Sequence, residues 1–150
     1  MTTHQPIDVA IIGGGPAGYA AAIYAARSNL TTTVIEQGMS GGQIATANEV
    51  ENYPGIPLLS GAELGERFQQ HAEGLGAQVE WSMVTGVDYD AGSKLFTVHH
   101  DVGDTTARSV IACMGATPRP AGFAGEDTYR GRGVSYCATC DGMFFRGKIG

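Results

Sequence analysis

This chain of 150 residues has no long apolar run, fewer basic than acidic residues, and only three cysteines. No apolar stretch is long enough to cross a bilayer, and the N-terminus lacks the basic-then-apolar pattern of a secretion signal. Nine lysines and arginines against fifteen aspartates and glutamates give a formal net charge of −6, which argues against a nucleic-acid partner. We therefore expect a soluble, cytoplasmic protein that binds neither membranes nor nucleic acid.

Three cysteines are too few to suggest a scaffold stapled by disulfides, and a reducing compartment keeps ordinary thiols reduced. A close pair of cysteines in such a compartment indicates redox or metal chemistry instead. Glycine, in contrast, is abundant: 23 of the 150 residues are glycine, about twice the average usage. Because these glycines cluster at turns, they indicate tight backbone geometry rather than disorder.

The charge is distributed unevenly along the chain. Residues 1–118 carry 4 basic and 12 acidic side chains, whereas residues 119–150 carry 5 basic and 3 acidic ones, a local charge of +2. Such a field can attract an acidic protein partner over a long range, although an ordinary solvated surface has the same composition.

Alternating strand and helix patterns predict an α/β fold. We predict strands at Ile7–Ile12, Thr32–Ile35, Gln78–Trp81 and Val110–Met114, a hairpin of Gly86–Asp90 with Leu95–His99, and helices at Pro16–Ser28 and from Ser60 to Gly74–Gly76. Ser60 and Glu63 form a capping box at the start of the second helix. Together these elements predict a doubly wound parallel sheet with an added antiparallel ribbon, followed by a proline-rich linker at Thr117–Pro120.

The first strand leads into a glycine loop, Gly13-Gly14-Gly15-Pro16-Ala17-Gly18. Gly13 permits a tight turn, Gly15 lets the backbone approach a pyrophosphate, and Gly18 lets the helix lie close to the strand. Glu36, at the end of the second strand, can accept hydrogen bonds from a ribose diol and repel a 2′-phosphate. The pattern predicts a dinucleotide site without separating FAD from NAD; a glycine-rich turn that binds no ligand is the alternative.

Cys137 and Cys140 form a Cys-x-x-Cys pair, which Asp141 follows. Such a turn holds two sulfurs within bonding reach and lowers the pKa of one thiol. One thiolate can attack a partner disulfide and the other can resolve the mixed disulfide, while Asp141 gives or takes a proton. Half of a zinc site is the alternative, but His99-His100 lies on a strand whose neighbouring side chains face opposite ways, so we predict no metal. Cys113, in an apolar strand, is predicted to be a core residue.

On these residues the whole chain resembles low-molecular-weight thioredoxin reductase. The matching motifs are Gly13–Gly18, Gly41-Gly42-Gln43, Glu51-Asn52-Tyr53-Pro54-Gly55, and Gly131-Arg132-Gly133-Val134-Ser135-Tyr136-Cys137-Ala138-Thr139-Cys140-Asp141-Gly142. The last of these motifs is the most specific, and its order relative to the glycine fingerprint fits few other families.

The resemblance implies an FAD/NAD(P)-binding Rossmann-like fold of three layers and FAD as the cofactor. It implies cofactor contacts from the glycine loop including Pro16 and Ala17, from the segment Glu36–Gln43, from Asn52 near the flavin, and from backbone near Val84 and Gly115. Within Glu36–Gln43 the implied contacts are Glu36, Gln37, Gly41, Gly42 and Gln43. It further implies that Cys140 faces the flavin, that Cys137 attacks thioredoxin, and that Asp141 donates the proton.

By the same resemblance, the intact enzyme is a homodimer that takes a hydride from NADPH and rotates one domain so that its thiols reach thioredoxin. The family is about twice as long as this chain, and a second glycine fingerprint for NADPH is absent from this sequence. We therefore expect residues 1–117 to be the first segment of an FAD-binding domain, and residues 118–150 to be the start of the pyridine-nucleotide and redox domain. The fold is then incomplete at its C-terminal side, and the 150-residue chain is predicted to be inactive alone.

Some features leave alternatives open. The family usually has Ala-Thr-Gly where this chain has Cys113-Met114-Gly115, and only a backbone contact survives that change. The electron donor can be ferredoxin or another donor instead of NADPH. A flavoprotein that feeds a peroxiredoxin shares the same core but carries extra N-terminal domains, for which the fingerprint at residue 13 leaves no room. A non-catalytic FAD-binding protein with structural or zinc-bound cysteines is a further alternative.

Overall fold

The computed structural model describes residues 5–138 and 142–147 of the chain. The chain divides into two compact units, Met1–Gly115 and Ala116–Gly150. Within the described ranges, no helix is both long enough and apolar enough to cross a membrane.

Unit 1 alternates strands and helices as the sequence predicts. In chain order its elements are β1 (Ile7–Ile12), α1 (Pro16–Arg27), β2 (Thr32–Glu36), a 3-10 helix (Gly42–Thr46), α2 (Gly61–Gly74), β3 (Gln78–Trp81), β4 (Val84–Asp90), β5 (Leu95–His100) and β6 (Gly103–Ala112). The strands form one sheet in the order β3-β2-β1-β6-β5-β4. β3, β2, β1 and β6 are parallel, whereas β5 and β4 pair antiparallel at one edge. The predicted parallel sheet with an antiparallel ribbon is confirmed.

Strand β6 belongs to both parts of this sheet. Its first half pairs with β5 and its second half pairs with β1. The predicted strand at Val110–Met114 is wrong in its bounds, because β6 starts at Gly103 and ends at Ala112. The apolar run at Val110–Met114 also predicts a buried strand, and this is wrong, since 38% of Ile111 is exposed. Only the short apolar run was recognised from the sequence; the polar first half follows the alternation of a half-exposed ribbon strand.

The two long helices start at the residues that their local chemistry favours. Pro16 is the first residue of α1, where its missing N–H costs no hydrogen bond. At the start of α2, the Ser60 hydroxyl accepts a hydrogen bond from the Glu63 N–H at 3.2 Å. The Ser60 N–H in turn donates to the Glu63 carboxylate at 3.2 Å. This confirms the predicted capping box, an arrangement in which the cap residue alone contributes about 1 kcal/mol.

Two apolar clusters cover the two faces of the parallel strands. The first joins β1 and β2 to the two long helices; its buried members are Val9, Ile11, Tyr19, Ala22, Ala25, Ala26, Val34, Ala72 and Ala77. The second joins the same strands to the ribbon; its buried members are Ala10, Ile12, Ile35, Val98 and Ala107. Alternate residues of a strand face opposite sides. The helices therefore cover one face of the parallel strands, and side chains of the ribbon pack against the other face. The carboxyl ends of β1 and β2 meet at one edge of the middle layer.

Unit 2 starts with irregular chain at residues 116–123, as the prolines of the predicted linker require. A single helical turn, α3 (Glu126–Tyr129), follows, and a 3-10 helix covers Gly142–Phe145. Backbone hydrogen bonds between residues 129 and 134 close a turn after α3, with the Arg132 and Val134 N–H groups both donating to the Tyr129 carbonyl.

Candidate functional site

The glycine loop after β1 is held by backbone contacts too close to admit a side chain. Gly13 has a φ of +104°, and a Cβ at this position would overlap the carbonyl oxygen of Cys113. A Cβ on Gly18 would overlap the carbonyl oxygen of Gly13. The start of α1 therefore lies directly against the turn, and Gly13 and Gly18 have the tight-turn and close-packing geometry that the fingerprint requires.

Helix α1 opens at this loop without a side-chain cap. Gly15 is extended at φ −84° and ψ −175°, and no side chain of the described residues caps the helix start. N–H groups in the first turn of a helix have no partner within the helix, and the dipole makes this end positive. Pro16 and Ala17 are exposed. The start of α1 therefore fits a diphosphate, whose oxygens accept hydrogen bonds from such N–H groups.

Glu36 stands at the edge of the same loop. Its carboxylate accepts hydrogen bonds from the Gly14 N–H at 2.5 Å and from the Gly38 N–H at 2.7 Å. The Gly41 N–H donates to the Gly14 carbonyl at 2.8 Å. This bond ties the segment after β2, residues 37–46, to the glycine loop after β1. A carboxylate has about four lone-pair sites, so both oxygens keep acceptor capacity for ribose hydroxyls. The structure thus brings Glu36, Gly41 and the glycine loop together.

The segment after β2 packs on two glycines of α2 that the sequence analysis missed. A Cβ on Gly65 would overlap the Ser40 carbonyl oxygen, and a Cβ on Gly61 would overlap the Ile44 carbonyl oxygen. Gly41 has a φ of +105°, and a Cβ there would lie 2.9 Å from the Gly65 Cα. The sequence does show two glycines four residues apart in the predicted helix. In the interior of a helix a glycine costs about 1 kcal/mol relative to alanine, so Gly65 indicates a close backbone contact.

A buried hydrogen-bond chain fixes the same segment from the other side, and it too was missed. The Tyr19 hydroxyl lies 2.6 Å from the Ser40 hydroxyl, which donates to the Gln69 carbonyl oxygen at 2.5 Å. Since the Ser40 proton is used toward Gln69, the Tyr19 hydroxyl is the donor to Ser40. Tyr19 is fully buried, and burial raises the pKa of its hydroxyl group. This chain joins α1, the segment after β2, and α2.

The remaining predicted cofactor contacts lie in different surroundings. Gln37, Gly42, Gln43 and Asn52 are exposed. Val84 is half-buried and packs against the second apolar cluster, which joins the parallel strands to the ribbon. Gly115 has a φ of +68° and ends unit 1. Their predicted contacts with a cofactor stay predictions.

Cys113 follows β6 and is a free thiol. It is partly buried against the cluster between the sheet and the helices, in keeping with its prediction as a core residue. Its N–H donates to the Ile12 carbonyl at 2.8 Å, and burial raises the pKa of its thiol group. Cys113 therefore joins β6 to the end of β1 through its backbone.

The segment with the predicted redox pair begins in unit 2 with Cys137. Cys137 is disulfide-bonded, and its N–H donates to the Ser135 hydroxyl at 3.1 Å. Cys140 and Asp141 lie outside the described residues, so their predicted roles stay predictions. Immediately before Cys137, the Tyr136 hydroxyl donates a hydrogen bond to Glu126. The sequence analysis did not single out Glu126 or Tyr136.

Within residues 5–138 and 142–147, no group of three or more His, Cys, Asp and Glu side chains could hold a metal ion. His99 is instead held between two carboxylates, at 3.0 Å from Asp88 and 2.8 Å from Asp104. Its neighbour His100 lies 3.0 Å from the Thr105 hydroxyl. The two imidazoles therefore have separate partners.

The three-layer arrangement around the parallel strands and the glycine loop at the start of α1 define a Rossmann-like fold of the FAD/NAD(P)-binding type. The family model of pyridine nucleotide-disulphide oxidoreductases matches residues 7–148. The chain therefore belongs to the pyridine nucleotide-disulphide oxidoreductase family.

Several relatives share this arrangement. Thioredoxin reductase of Bacillus subtilis is 43% identical over 99% of this chain and 46% of its own length. A protein named glucosaminate ammonia-lyase from Pseudomonas fluorescens is also 43% identical, over 93% of this chain and 43% of its own length. Thioredoxin reductase from Streptococcus pyogenes superposes with a TM-score of 0.79 at 42% identity, covering 93% of this chain and 45% of that one.

One further solved structure has ferredoxin in its name. A ferredoxin-flavin thioredoxin reductase from Clostridium acetobutylicum superposes with a TM-score of 0.68 at 34% identity, covering 97% of this chain and 50% of that one. The chain spans about half the length of the curated relatives that it matches.

Proposed function

We propose that the protein containing this chain is a flavoprotein disulfide reductase. It passes electrons from NADPH through FAD to a disulfide of Cys137 and Cys140, and then to thioredoxin. The observation that carries the proposal is the disulfide-bonded state of Cys137 in a chain whose other unit holds a diphosphate-binding loop. The similarity to thioredoxin reductases supports the same activity.

FAD fits the loop in unit 1 better than NADPH does. The start of α1 offers N–H groups and a positive dipole end to a diphosphate, and Gly13 and Gly18 keep the backbone free of side chains. The Glu36 carboxylate accepts hydrogen bonds from ribose hydroxyls and repels the 2′-phosphate that NADPH carries. Of the other predicted contacts, Gln37, Gly41, Gly42 and Gln43 extend along the ADP half, Asn52 lies toward the flavin, and Val84 and Gly115 contribute backbone. FAD, when bound, supplies a carrier that exchanges electron pairs with a disulfide.

The thiol chemistry belongs to unit 2. The Cys137 thiolate attacks one sulfur of the thioredoxin disulfide and displaces the other sulfur as a thiolate. Cys140 then attacks the mixed disulfide, which releases reduced thioredoxin and restores the Cys137–Cys140 disulfide. Asp141 supplies the proton that the first leaving thiolate takes up, and the proton that Cys140 loses on its attack passes to the second leaving thiolate. Each cycle therefore transfers two electrons and two protons to thioredoxin.

The organisation of the complete protein follows from the same proposal. Residues 1–117 form the first segment of the FAD-binding domain, and residues 118–150 begin the redox domain that carries the cysteine pair. The protein acts as a homodimer in the cytoplasm, whose reducing conditions suit a disulfide that is repeatedly reduced.

Three serine variants of the complete protein test the proposal. Cys137→Ser and Cys140→Ser are expected to abolish thioredoxin reduction while the yellow flavin stays bound, because each removes one sulfur of the pair. Cys113→Ser is the matched control, since Cys113 is a free thiol in the other unit, and it is expected to keep its activity. Equal activity in all three variants would exclude the proposed cysteine pair.

A ferredoxin-dependent reductase is the second candidate. The structural similarity to the Clostridium acetobutylicum protein favours it, because that protein's name gives ferredoxin as its donor. Anaerobic assays of the complete protein with NADPH and with reduced ferredoxin separate the two. Turnover with ferredoxin alone would replace NADPH as the proposed donor and leave the disulfide chemistry unchanged.

A further inference from the structure

We propose that Glu126 is a positioning residue for Cys137: its buried carboxylate anchors the segment that carries this cysteine in the geometry of the disulfide. The inference rests on the proposed function, since it treats Cys137 as half of the redox pair. It concerns unit 2 alone and needs neither the flavin nor the electron donor.

The Glu126 carboxylate is buried and fully engaged. The residue is 6% exposed, although it begins a helix of only four residues. One carboxylate oxygen accepts a hydrogen bond from the Ala121 N–H at 2.8 Å, and the other accepts from the Gly122 N–H at 2.6 Å. The Tyr136 hydroxyl donates a third hydrogen bond. A carboxylate withdrawn from water is costly unless such donors compensate, so this one holds together three parts of the unit.

The charges around the carboxylate favour its ionised form. The hydrogen bond from Tyr136 and those from the two backbone N–H groups lower the pKa of Glu126, and the Arg130 charge acts in the same direction. The same Glu126 partner raises the pKa of the Tyr136 hydroxyl, which keeps it a proton donor. The Arg130 guanidinium lies 4.9 Å from the centre of the Tyr136 ring and holds the ring from its face. Tyr136 is therefore fixed at both its hydroxyl and its ring.

This fixed tyrosine precedes Cys137 directly in the chain. Backbone hydrogen bonds close the turn that leads from α3 toward Tyr136. The Tyr129 carbonyl accepts from the Arg132 N–H at 2.8 Å and from the Val134 N–H at 3.0 Å. The chain is thus bound to α3 from residue 129 up to the residue before Cys137. The contact between Tyr136 and Glu126 therefore restrains the backbone directly before Cys137.

The anchor matters most for the equilibrium between disulfide and dithiol. Closing a disulfide requires a specific approach of two sulfurs, and chain freedom at either cysteine opposes that closure. An anchor that holds the Cys137 segment in the disulfide geometry favours the oxidised state. Without the anchor, the segment gains freedom on reduction, so reduction becomes easier.

The test measures this equilibrium in the complete protein by equilibration with dithiothreitol, followed by alkylation and mass spectrometry of the Cys137 peptide. In this reaction the protein disulfide gains two electrons and two protons while dithiothreitol closes to its cyclic disulfide. Tyr136→Phe keeps the ring and removes the hydroxyl. We expect it to shift the equilibrium toward the dithiol by about tenfold, the size of one hydrogen bond to a charged group, which is about 30 mV in midpoint potential.

Two further variants separate anchoring from general destabilisation. Tyr129→Phe alters an exposed tyrosine in the same unit and is expected to leave the equilibrium unchanged. The double variant Glu126→Ala with Tyr136→Phe is expected to shift the equilibrium no further than Glu126→Ala alone, because Glu126→Ala already removes the acceptor of the Tyr136 hydroxyl. An unchanged equilibrium in Tyr136→Phe, or a shift of equal size in Tyr129→Phe, overturns the proposal.

The outcomes also separate this inference from the proposed function. If Tyr136→Phe shifts the equilibrium but wild-type protein fails to reduce thioredoxin with any donor, the anchor stands and the proposed function fails. If thioredoxin is reduced and the equilibrium is the same in wild type and Tyr136→Phe, the function stands and Glu126 has only a structural role in α3.

Discussion

The side chain of Tyr19 illustrates how one hydroxyl group can fix a loop for which cofactor contacts are predicted. It donates to Ser40 directly before the Gly41-Gly42 turn, and Ser40 donates onward to Gln69 of α2. Buried hydrogen bonds of this kind contribute about 1 kcal/mol each, and a buried group that loses its partner costs more. The position of the segment after β2 thus depends on a residue of α1 that is one position beyond the glycine fingerprint.

Replacement of Tyr19 by phenylalanine tests this role. The ring of Tyr19→Phe still fills its buried site, but Ser40 loses its donor, so we expect a loss of about 1–2 kcal/mol in the free energy of unfolding. We also expect weaker FAD binding, since the segment beside Glu36 is less fixed. Urea denaturation and fluorescence titration with FAD measure the two effects.

Tyr24→Phe is the control for this substitution, because Tyr24 lies on the same helix and is 73% exposed. It is expected to change neither quantity. If both variants lose the same stability and affinity, the hydroxyl of Tyr19 has no special role.

At the scale of elements, the packing of α2 on the segment after β2 depends on the absence of side chains. The Gly65 Cα approaches the Ser40–Gly41 backbone so closely that even one methyl group must displace it. Gly65→Ala is therefore expected to destabilise the protein by about 1–3 kcal/mol, even though alanine is the better helix former. Thermal and urea unfolding measure this loss.

Gly74→Ala serves as the comparison, because it lies on the same helix with nothing within 4 Å of an added Cβ. This variant is expected to gain up to about 1 kcal/mol from helix propensity. A stabilised Gly65→Ala variant would contradict the packing seen here.

The antiparallel ribbon contains a charged contact that spans its three strands. His99 on β5 lies between Asp88 on β4 and Asp104 on β6. The hydrogen bonds from Asp88 and Asp104 raise the pKa of His99 above its ordinary value of 6.5, with burial acting weakly in the opposite direction. The protonated imidazole donates to both carboxylates, whereas the neutral ring can donate to only one of them.

The pH dependence of ribbon stability follows from this shift. A histidine whose pKa is raised on folding stabilises the folded state fully below its unfolded pKa, and this contribution disappears as the pH rises through the folded pKa. We expect wild type to be more stable than His99→Gln below about pH 6.5 and this advantage to disappear above the folded pKa. Urea unfolding across this range, with NMR titration of the His99 ring, measures both quantities. An advantage that grows with pH would show that the sign is wrong.

Elements defined by local chemistry were predictable from the sequence, whereas those defined by distant contacts were not. β1 and β3 have the predicted bounds: the largely apolar run of β1 ends at Gly13, and β3 alternates polar and apolar residues from Gln78 to Trp81. The capping box of α2 was equally local. The first half of β6 has no such signal. Gly61, Gly65 and the Tyr19 hydroxyl matter only through contacts with residues distant in the chain; Tyr19 and Ser40, for example, are 21 positions apart.

For the candidate site the division is similar. The fingerprint predicted the turn at Gly13 and the position of Glu36 beside the loop, since both depend on a strand and a helix that are adjacent in the chain. The anchoring of Tyr136 by Glu126 joins two residues 10 positions apart through irregular chain, where no periodic pattern exists. Spacing in the sequence therefore pointed to Cys137, but not to Glu126, the residue that we propose positions it.

At the scale of the whole molecule, the proposed function assigns a different part of electron transfer to each of the two units. Unit 1 offers a loop for one dinucleotide, and unit 2 carries the disulfide-bonded Cys137. The sequence contains one strand–glycine loop–helix fingerprint, and Glu36 in that fingerprint disfavours the 2′-phosphate of NADPH. A hydride donor therefore has no recognisable site within these 150 residues.

The 150-residue polypeptide is accordingly expected to show no NADPH-dependent reduction of thioredoxin, even with FAD added in excess. Its cysteine pair is still expected to react with dithiothreitol, because thiol exchange needs only the two sulfurs and an accessible approach. Spectrophotometric assays of NADPH oxidation, run beside alkylation of the Cys137 peptide, measure both properties on one sample. Turnover by this polypeptide would show that it binds the hydride donor itself, and would require a nicotinamide site that its single fingerprint does not reveal.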